Sequence, residues 1–508
     1  VLACLVAAAM LLPVAYLLSR LVFAESAALA QVLRPRTLAV LGNSVLLAVA
    51  VTGASVALAL PLAWLTTSTD LPARRMWGVL SSLPLVIPSY IGGYALVAAL
   101  GPRGALQGLL ERLLGVQRLP ELYGFGGAWL ALTLFSYPYV LLSVRGALRS
   151  LDPGLEEASR SLGHGPWRTF WFVTLPQLRP AIAAGALLTA LYTLSDFGAV
   201  SLLQFNSFSR AIYVQYRSAF DRDGAAVLAM LLVLLTSLLL VGEIQTRSRA
   251  RYHRSTAGTA RPRRIVRLGA WRWPALLLSG AVVLLALVVP VGVVIFWLAR
   301  GLASGEPLRL VWGAALNSVS SSAAAAALAV LAALPVALLA VRFPGRLSRM
   351  LEGIAYAGYA LPGIVVALAL VRWASHYAPA IYQTLPLLIG AFVLRFLPQA
   401  MGSARAALLS VNPRVEEASR SLGRGAVSTF VRVTLPLIRP GLLSGAALVF
   451  LTAMKELPTT LILGPLGYRT LATAVWSATA EGFFARAAAP ALLLIAVSAV
   501  SIVFVERE

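Results

Sequence analysis

Of 508 residues, 59% are hydrophobic and only 12% charged, with a mean hydropathy of +0.84; soluble domains run near a quarter charged, so a soluble globular fold is excluded before any motif is read. The net charge of +23 is carried almost wholly by arginine, Lys455 being the only lysine. In so apolar a chain these arginines serve orientation and the anionic headgroups of membrane lipid, and no nucleic acid is expected as a partner. Cys4 is the only cysteine and His164, His253 and His376 are scattered, which leaves no intrachain disulfide and no thiolate metal cluster.

Along the chain, apolar segments at 2–24, 41–66, 77–99, 126–148, 181–204 and 224–243 are followed by a second set at 274–298, 313–341, 351–372, 381–408, 441–463 and 487–505. A span takes roughly 20 apolar residues, and lipid offers the backbone no hydrogen-bonding partner. An all-α polytopic membrane protein of about 12 transmembrane helices is therefore predicted. Prolines inside these segments, such as Pro61, Pro335 and Pro362, are tolerable in a packed bundle. No basic stretch precedes the opening VLACLVAAAMLLPVAYLLSRLV, which predicts a retained first span rather than a cleaved signal peptide.

Between the two sets, 244–272 contains Arg247, Arg249, Arg251, Arg254, Arg261, Arg263, Arg264, Arg267 and Arg272, and no acid. Such a run resists translocation and is expected in the cytoplasm. With six crossings on each side both termini are then cytoplasmic, as are the basic segments 143–180 and 403–440. Segments 100–125, 205–223 and 464–486 fall outside. The expected organisation is a first repeat at 1–243 with a cytoplasmic loop at 149–180, a basic linker at 244–272, and a second repeat at 273–508 with a loop at 409–440.

The halves repeat in their polar segments. LEEASRSLG at 155–163 returns as VEEASRSLG at 415–423, 260 residues on, as do VTLP at 173–176 and Arg179-Pro180. Asn43-Ser44 and Pro88 return as Asn317-Ser318 and Pro362 at an offset of 274. An even number of spans per copy gives two parallel six-helix repeats related by an axis along the membrane normal.

Each repeated loop reads as a short helix, a glycine break and a second helix. In the first, Asp152 or Pro153 starts a turn, Glu156 to Leu162 form a helix, and Gly163 and Gly165 interrupt it. The second runs from Asn412-Pro413 through Glu416, Glu417, Ala418 and Gly423 to Pro436 and Pro440. Small residues on an interfacial helix permit a close neighbour, and two such helices suit a partner with two-fold symmetry.

Glu157-Ala158-Ser159, Gly163 and Val173-Thr174-Leu175-Pro176 resemble the "EAA loop" of binding-protein-dependent ABC importer permeases, and Glu417-Ala418-Ser419, Gly423 and Val433 to Pro436 resemble it again at identical spacing. Ser159 and Ser419 stand where that pattern has Ala, and Val173 and Val433 where it has Ile. The resemblance implies that Glu157, Ala158, Ser159 and Gly163, with Glu417, Ala418, Ser419 and Gly423, couple the chain to two copies of an ABC ATPase. It also implies an extracytoplasmic solute-binding protein and a multi-pass place in the bacterial plasma membrane, the inner membrane of a Gram-negative cell. ATP and Mg2+ would bind the ATPase, since a Walker A loop needs a lysine after glycine and the sole lysine follows Met454. No catalytic residue, resident cofactor or metal site is expected in this chain.

Fusion of two such domains, with 454–482 and Ser195-Asp196-Phe197-Gly198-Ala199-Val200, further resembles the ferric-iron subgroup. Related fused permeases carry thiamine, 2-aminoethylphosphonate or other small solutes, which stand as alternative cargoes. An ion-coupled secondary transporter could also show two six-helix halves, but has no need of duplicated docking helices. Asp196 and Glu456 match at the 260 offset, with Lys455 adjoining. Either these residues line a translocation path, or the acids brace a helix end through nearby backbone and Thr459 or Thr460.

Overall fold

With no water to bond to, a chain in lipid must close its backbone hydrogen bonds within helices. The computed structural model describes residues 1–22, 32–101, 111, 115, 122–151, 153–218, 221–248, 265–305, 309–358 and 361–506. Asp152 and most of the basic linker, 249–264, lie outside the described residues. The first repeat runs α1 (Leu2–Val22), α2 (Pro35–Ser68), α3 (Arg74–Leu80), α4 (Ser89–Leu100), α5 (Phe125–Ser150), α6 (Pro153–Ser161), α7 (Leu175–Ser195), α8 (Gly198–Leu202), α9 (Phe208–Arg217) and α10 (Arg222–Ser248). The second runs α11 (Arg272–Val283), α12 (Val289–Ala303), α13 (Arg309–Arg342), α14 (Arg346–Ala357), α15 (Gly363–Tyr377), α16 (Leu385–Ser410), α17 (Pro413–Ser421), α18 (Leu435–Met454), α19 (Pro458–Leu463), α20 (Leu471–Ala480) and α21 (Phe484–Glu506).

The protein is an all-α polytopic membrane protein. Among the described residues, 8 helices are long and apolar enough to cross a membrane, or 9 if the bent pair Arg74–Val86 and Ser89–Leu100 is one span. Shorter apolar helices lie at Leu2–Tyr16, Gly363–Tyr377, Leu471–Ala480 and Phe484–Ala499. Each expected segment overlaps helix among the described residues, but 77–99, 181–204, 351–372 and 441–463 are broken rather than continuous, and 381–408 is a continuous helix only from Leu385. The first of these bends by 95°. Proline sets the bend: the residue before it is driven to extended backbone, and Pro88 itself (φ −59°, ψ 145°) caps α4 without an N–H to offer. Pro362 (φ −60°, ψ 144°) does the same for α15. α4 and the first nine residues of α15, Gly363 to Val371, are buried nearly all round, as their apolar sequences require.

Packing groups the chain into two compact units that differ from the sequence repeats, one of residues 35–211 with 234–297, the other of 1–34, 212–233 and 298–508. In the first unit Ala275 of α11 joins Leu65 and Leu71 in an apolar cluster flanked by Trp64 and Trp77. The end of the linker is tied there too: Val266 N–H donates to Ser68 O at 2.9 Å, and Leu268 N–H to Asp70 Oδ1 at 2.8 Å. In the second unit α1 packs on α13, α14 and α15, and Gly358 makes room for Met10, whose Cε would lie 2.6 Å from a Cβ at that position. The leading span of each repeat is therefore packed with the core of the other.

The matched Asn-Ser pairs cap helices. Ser44 Oγ accepts from Phe208 N–H at 2.9 Å and Ser318 Oγ from Leu471 N–H at 2.7 Å. Asn43 and Asn317 donate to Asn206 O (3.3 Å) and Arg469 O (3.0 Å). These bonds use the orphan groups at the starts of α9 and α20 to hold each helix against its long neighbour, α2 or α13.

Candidate functional site

Both loops end their short helix in the same way. His164 N–H donates to Ser159 O at 3.2 Å and Gly163 N–H to Arg160 O at 3.0 Å; Arg424 N–H and Gly423 N–H repeat this onto Ser419 O (3.3 Å) and Arg420 O (3.0 Å). This Schellman pair requires a left-handed residue after the helix, and Gly163 and Gly423 have φ of +84° and +82°. A Cβ at either glycine would meet nothing within 4 Å. The backbone therefore demands glycine there, while the space beside it is left open.

A π turn follows in each copy, Phe170–Thr174 and Phe430–Thr434, just ahead of Leu175-Pro176 and Leu435-Pro436. A proline ring crowds the carbonyl four residues before it, and the wider turn relieves that clash. Thr174 Oγ1 donates to Glu156 Oε1 at 2.8 Å, and Thr434 Oγ1 to Glu416 Oε1 at 3.0 Å. Ser159 and Thr169 hydroxyls lie 3.1 Å apart, as do those of Ser419 and Thr429. These bonds fix the inner face of α6 and α17 to the start of the next span.

The candidate residues therefore divide by face. Glu157, Ala158 and Gly163 are exposed, with Leu162 78% exposed; Glu417, Ala418 and Gly423 are exposed, with Leu422 83% exposed. Ser159 and Ser419 are buried. The acid one position earlier, Glu156 or Glu416, is expected from sequence only as part of the short helix, though its 18-residue spacing to the threonine of VTLP recurs in both copies. In the second loop Arg342, at the end of α13, adds an ion pair to Glu416 at 2.9 Å and a bond to Val411 O at 3.3 Å. Glu416→Ala strands that guanidinium and the Thr434 hydroxyl. It should cost about 2–3 kcal/mol, while exposed Glu417→Ala stays within about 0.5 kcal/mol. Thermal unfolding of the purified chain checks the order, and equal effects would remove the division by face.

The two acids sit at helix breaks, in separate units. Asp196 Oδ1 accepts from Ala199 N–H (3.0 Å) and Val200 N–H (3.3 Å), while Ser89 Oγ donates to Oδ2. Ser89 opens α4, so one carboxylate joins the start of α8 to the start of α4. Glu456 Oε1 accepts from Thr459 N–H (3.2 Å) and Thr459 Oγ1 (2.6 Å), and Arg395 of α16 pairs with Oε2. Both acids are buried, and Lys455 is half-buried at the end of α18. Arg395 escaped the sequence reading although an arginine inside an apolar segment is costly enough to mark a site. Among the described residues, no group of three His, Cys, Asp or Glu side chains is placed to hold a metal ion.

Comparison with known proteins matches residues 55–254 and 326–507 to the family described as "Binding-protein-dependent transport system inner membrane component". The chain is 34% identical over 477 residues to the Fe(3+)-transport system permease protein FbpB 2 of Haemophilus influenzae, covering 93% of this chain and 90% of that protein. It is 26% identical over 487 residues to the ferric transport system permease protein FbpB of Actinobacillus pleuropneumoniae, covering 92% and 70%. The molybdenum transport system permease protein ModB of Escherichia coli aligns at 32% over 212 residues, 40% of this chain and 91% of that protein. The twice-built loop thus sits in a domain matched twice, and the chain belongs to the binding-protein-dependent permease family of ABC importers, with both of its domains on one polypeptide.

Proposed function

We propose that this permease moves ferric iron from an extracytoplasmic binding protein into the cytoplasm, driven by two copies of a separate ATPase that dock on loops 149–180 and 409–440. The observation that carries this reading is the pair of loops: each presents an exposed helix face and an open left-handed glycine, at φ +84° and +82°. One built surface per repeat suits one ATPase subunit per repeat, with both loops and both termini on the cytoplasmic side. Binding and hydrolysis of ATP with Mg2+ would take place on that partner. The relatives that align along most of this chain are named for ferric transport, which supports iron as cargo. The molybdenum relative aligns over only 40% of the chain, and supports the transport class more than its own cargo.

The test is reconstitution in vesicles with the cognate binding protein and ATPase, following radiolabelled iron. Uptake should require ATP and resist competition by molybdate, thiamine and 2-aminoethylphosphonate. Native mass measurement should find two ATPase subunits per chain. Iron-independent uptake of one of those competitors would move the cargo, and a stable complex with a single ATPase would end the two-site reading.

A further inference from the structure

The two helix breaks share a plan but are wired differently. In the first repeat, Asp196 takes its side-chain donor from Ser89. The position on α5 that faces this region is Phe135, fully buried and filling the space a Cβ at Gly92 would need. In the second repeat the residue 260 positions on from Phe135 is Arg395, and the residue 274 on from Ser89 is Gly363. These replacements belong together. A Cβ at Gly363 would run into both the Arg395 guanidinium and the Glu456 carboxylate. Glutamate is also one methylene longer than aspartate, which extends the carboxylate toward α16. The side chains of the resulting pair are 19% and 6% exposed.

Placement gives the pair its consequence. From Arg395, α16 continues to Ser410 and feeds directly into docking helix α17; α18 returns from the loop and ends at Met454, two residues before Glu456. Arg395 is 15 residues before the end of α16, or roughly 22 Å along the axis. The ion pair therefore ties the far ends of the two helices that enter and leave the loop. Thr459 Oγ1, bonded to Glu456, also donates to Gly363 O at 3.3 Å, which brings the start of α15 into the same joint. Separating a buried ion pair strands a charge away from water, so α16 and the break must move together. Phe135 makes no such bond: α5 is held by its packing on Gly92 and by Tyr137 and Arg145 donating to Ser81 O (2.7 Å) and Gly78 O (2.6 Å), with no charge pair among the described residues joining it to Asp196.

We propose that Arg395 is a positioning residue that carries displacement of the second docking loop, through α16, to the helix break at Glu456 and the start of α15, and that the first repeat lacks this link. The inference rests on the reading that α17 docks an ATPase subunit.

The test uses the complete complex in vesicles, with assembly, basal hydrolysis, binding-protein-stimulated hydrolysis and uptake measured for each variant. Arg395→Met and the wedge Gly363→Ala should assemble and keep basal hydrolysis, yet lose stimulation and uptake by about fivefold or more. Arg395→Lys keeps the charge and should retain most of both. The deciding variant is Gly363→Ser/Val366→Gly/Arg395→Phe/Glu456→Asp, which rebuilds the first repeat's joint without the link to α16, Val366 being the residue 274 on from Gly92, whose missing Cβ leaves room for Phe135. It should assemble well and remain as uncoupled as Arg395→Met. Wild-type uptake in that rebuilt variant, or in Arg395→Met, overturns the proposal and leaves the pair a local brace. A native complex whose uptake ignores ATP would instead overturn the docking reading, so the two failures are distinguishable.

Discussion

Gly163→Leu or Gly423→Leu should abolish ATP-driven uptake while the chain still inserts and folds. Each glycine is the left-handed residue of a Schellman cap, with φ of +84° or +82°. A leucine held there costs about 1–2 kcal/mol, enough to fray the end of α6 or α17 and too little to unfold a protein of this size. The larger effect comes from outside the chain. Nothing lies within 4 Å of a Cβ at either position, so a bulky side chain projects into the open space that a docked partner would approach. Asparagine separates the two causes, because it tolerates the left-handed region but still fills the open space. Uptake and stimulated hydrolysis should fall by at least about tenfold for leucine, and by less for asparagine. Normal values in both leucine variants would mean these loops transmit nothing. The sites need not respond equally, since Trp167 and Trp171 flank the first where Val427 and Val431 flank the second.

These loops were legible in the sequence because polar residues stand out in an apolar chain. Glu157 to Gly163 and Glu417 to Gly423 recur at one offset, and composition alone does not repeat acids, serines and glycines in register. The faces within the motif were not legible. Glu156 and Glu157 differ only by 100° of helical rotation, and the fold decides which one meets Thr174. Hydropathy placed the apolar segments but counted about 12 spans where 8 or 9 described helices are long enough to cross. Apolar residues on both sides of a break give a buried short helix the same signature as a continuous span; only the bracing reading of Asp196 and Glu456 put a helix end there. Hydropathy was equally silent on packing α1 with α13, α14 and α15 and α11 with Leu65 and Leu71, because one apolar helix face suits either core. Arg395 and Phe135 align at the 260 offset, but only the structure shows that Gly363 in place of Ser89 makes room for the charge.

Asp196→Leu should cost the first unit about 3–4 kcal/mol. The substitution orphans the Ala199 and Val200 amides at the start of α8 and strands the Ser89 hydroxyl at the start of α4, all in a buried site. Retention of monodisperse protein after stepwise heating measures the loss. Asp196→Asn is the informative companion. Its carbonyl oxygen can still accept from both amides and its NH2 can face Ser89, so it should cost about 1 kcal/mol and leave assembly intact. If the acid acts only as a brace, uptake from the loaded binding protein in Asp196→Asn should stay within about twofold of wild type, in proportion to the small stability change. We expect that result, because donors within its own unit already occupy both carboxylate oxygens. A large fall in uptake from a fully assembled Asp196→Asn complex would show that the negative charge itself serves the cargo, and would place Asp196 on the path after all.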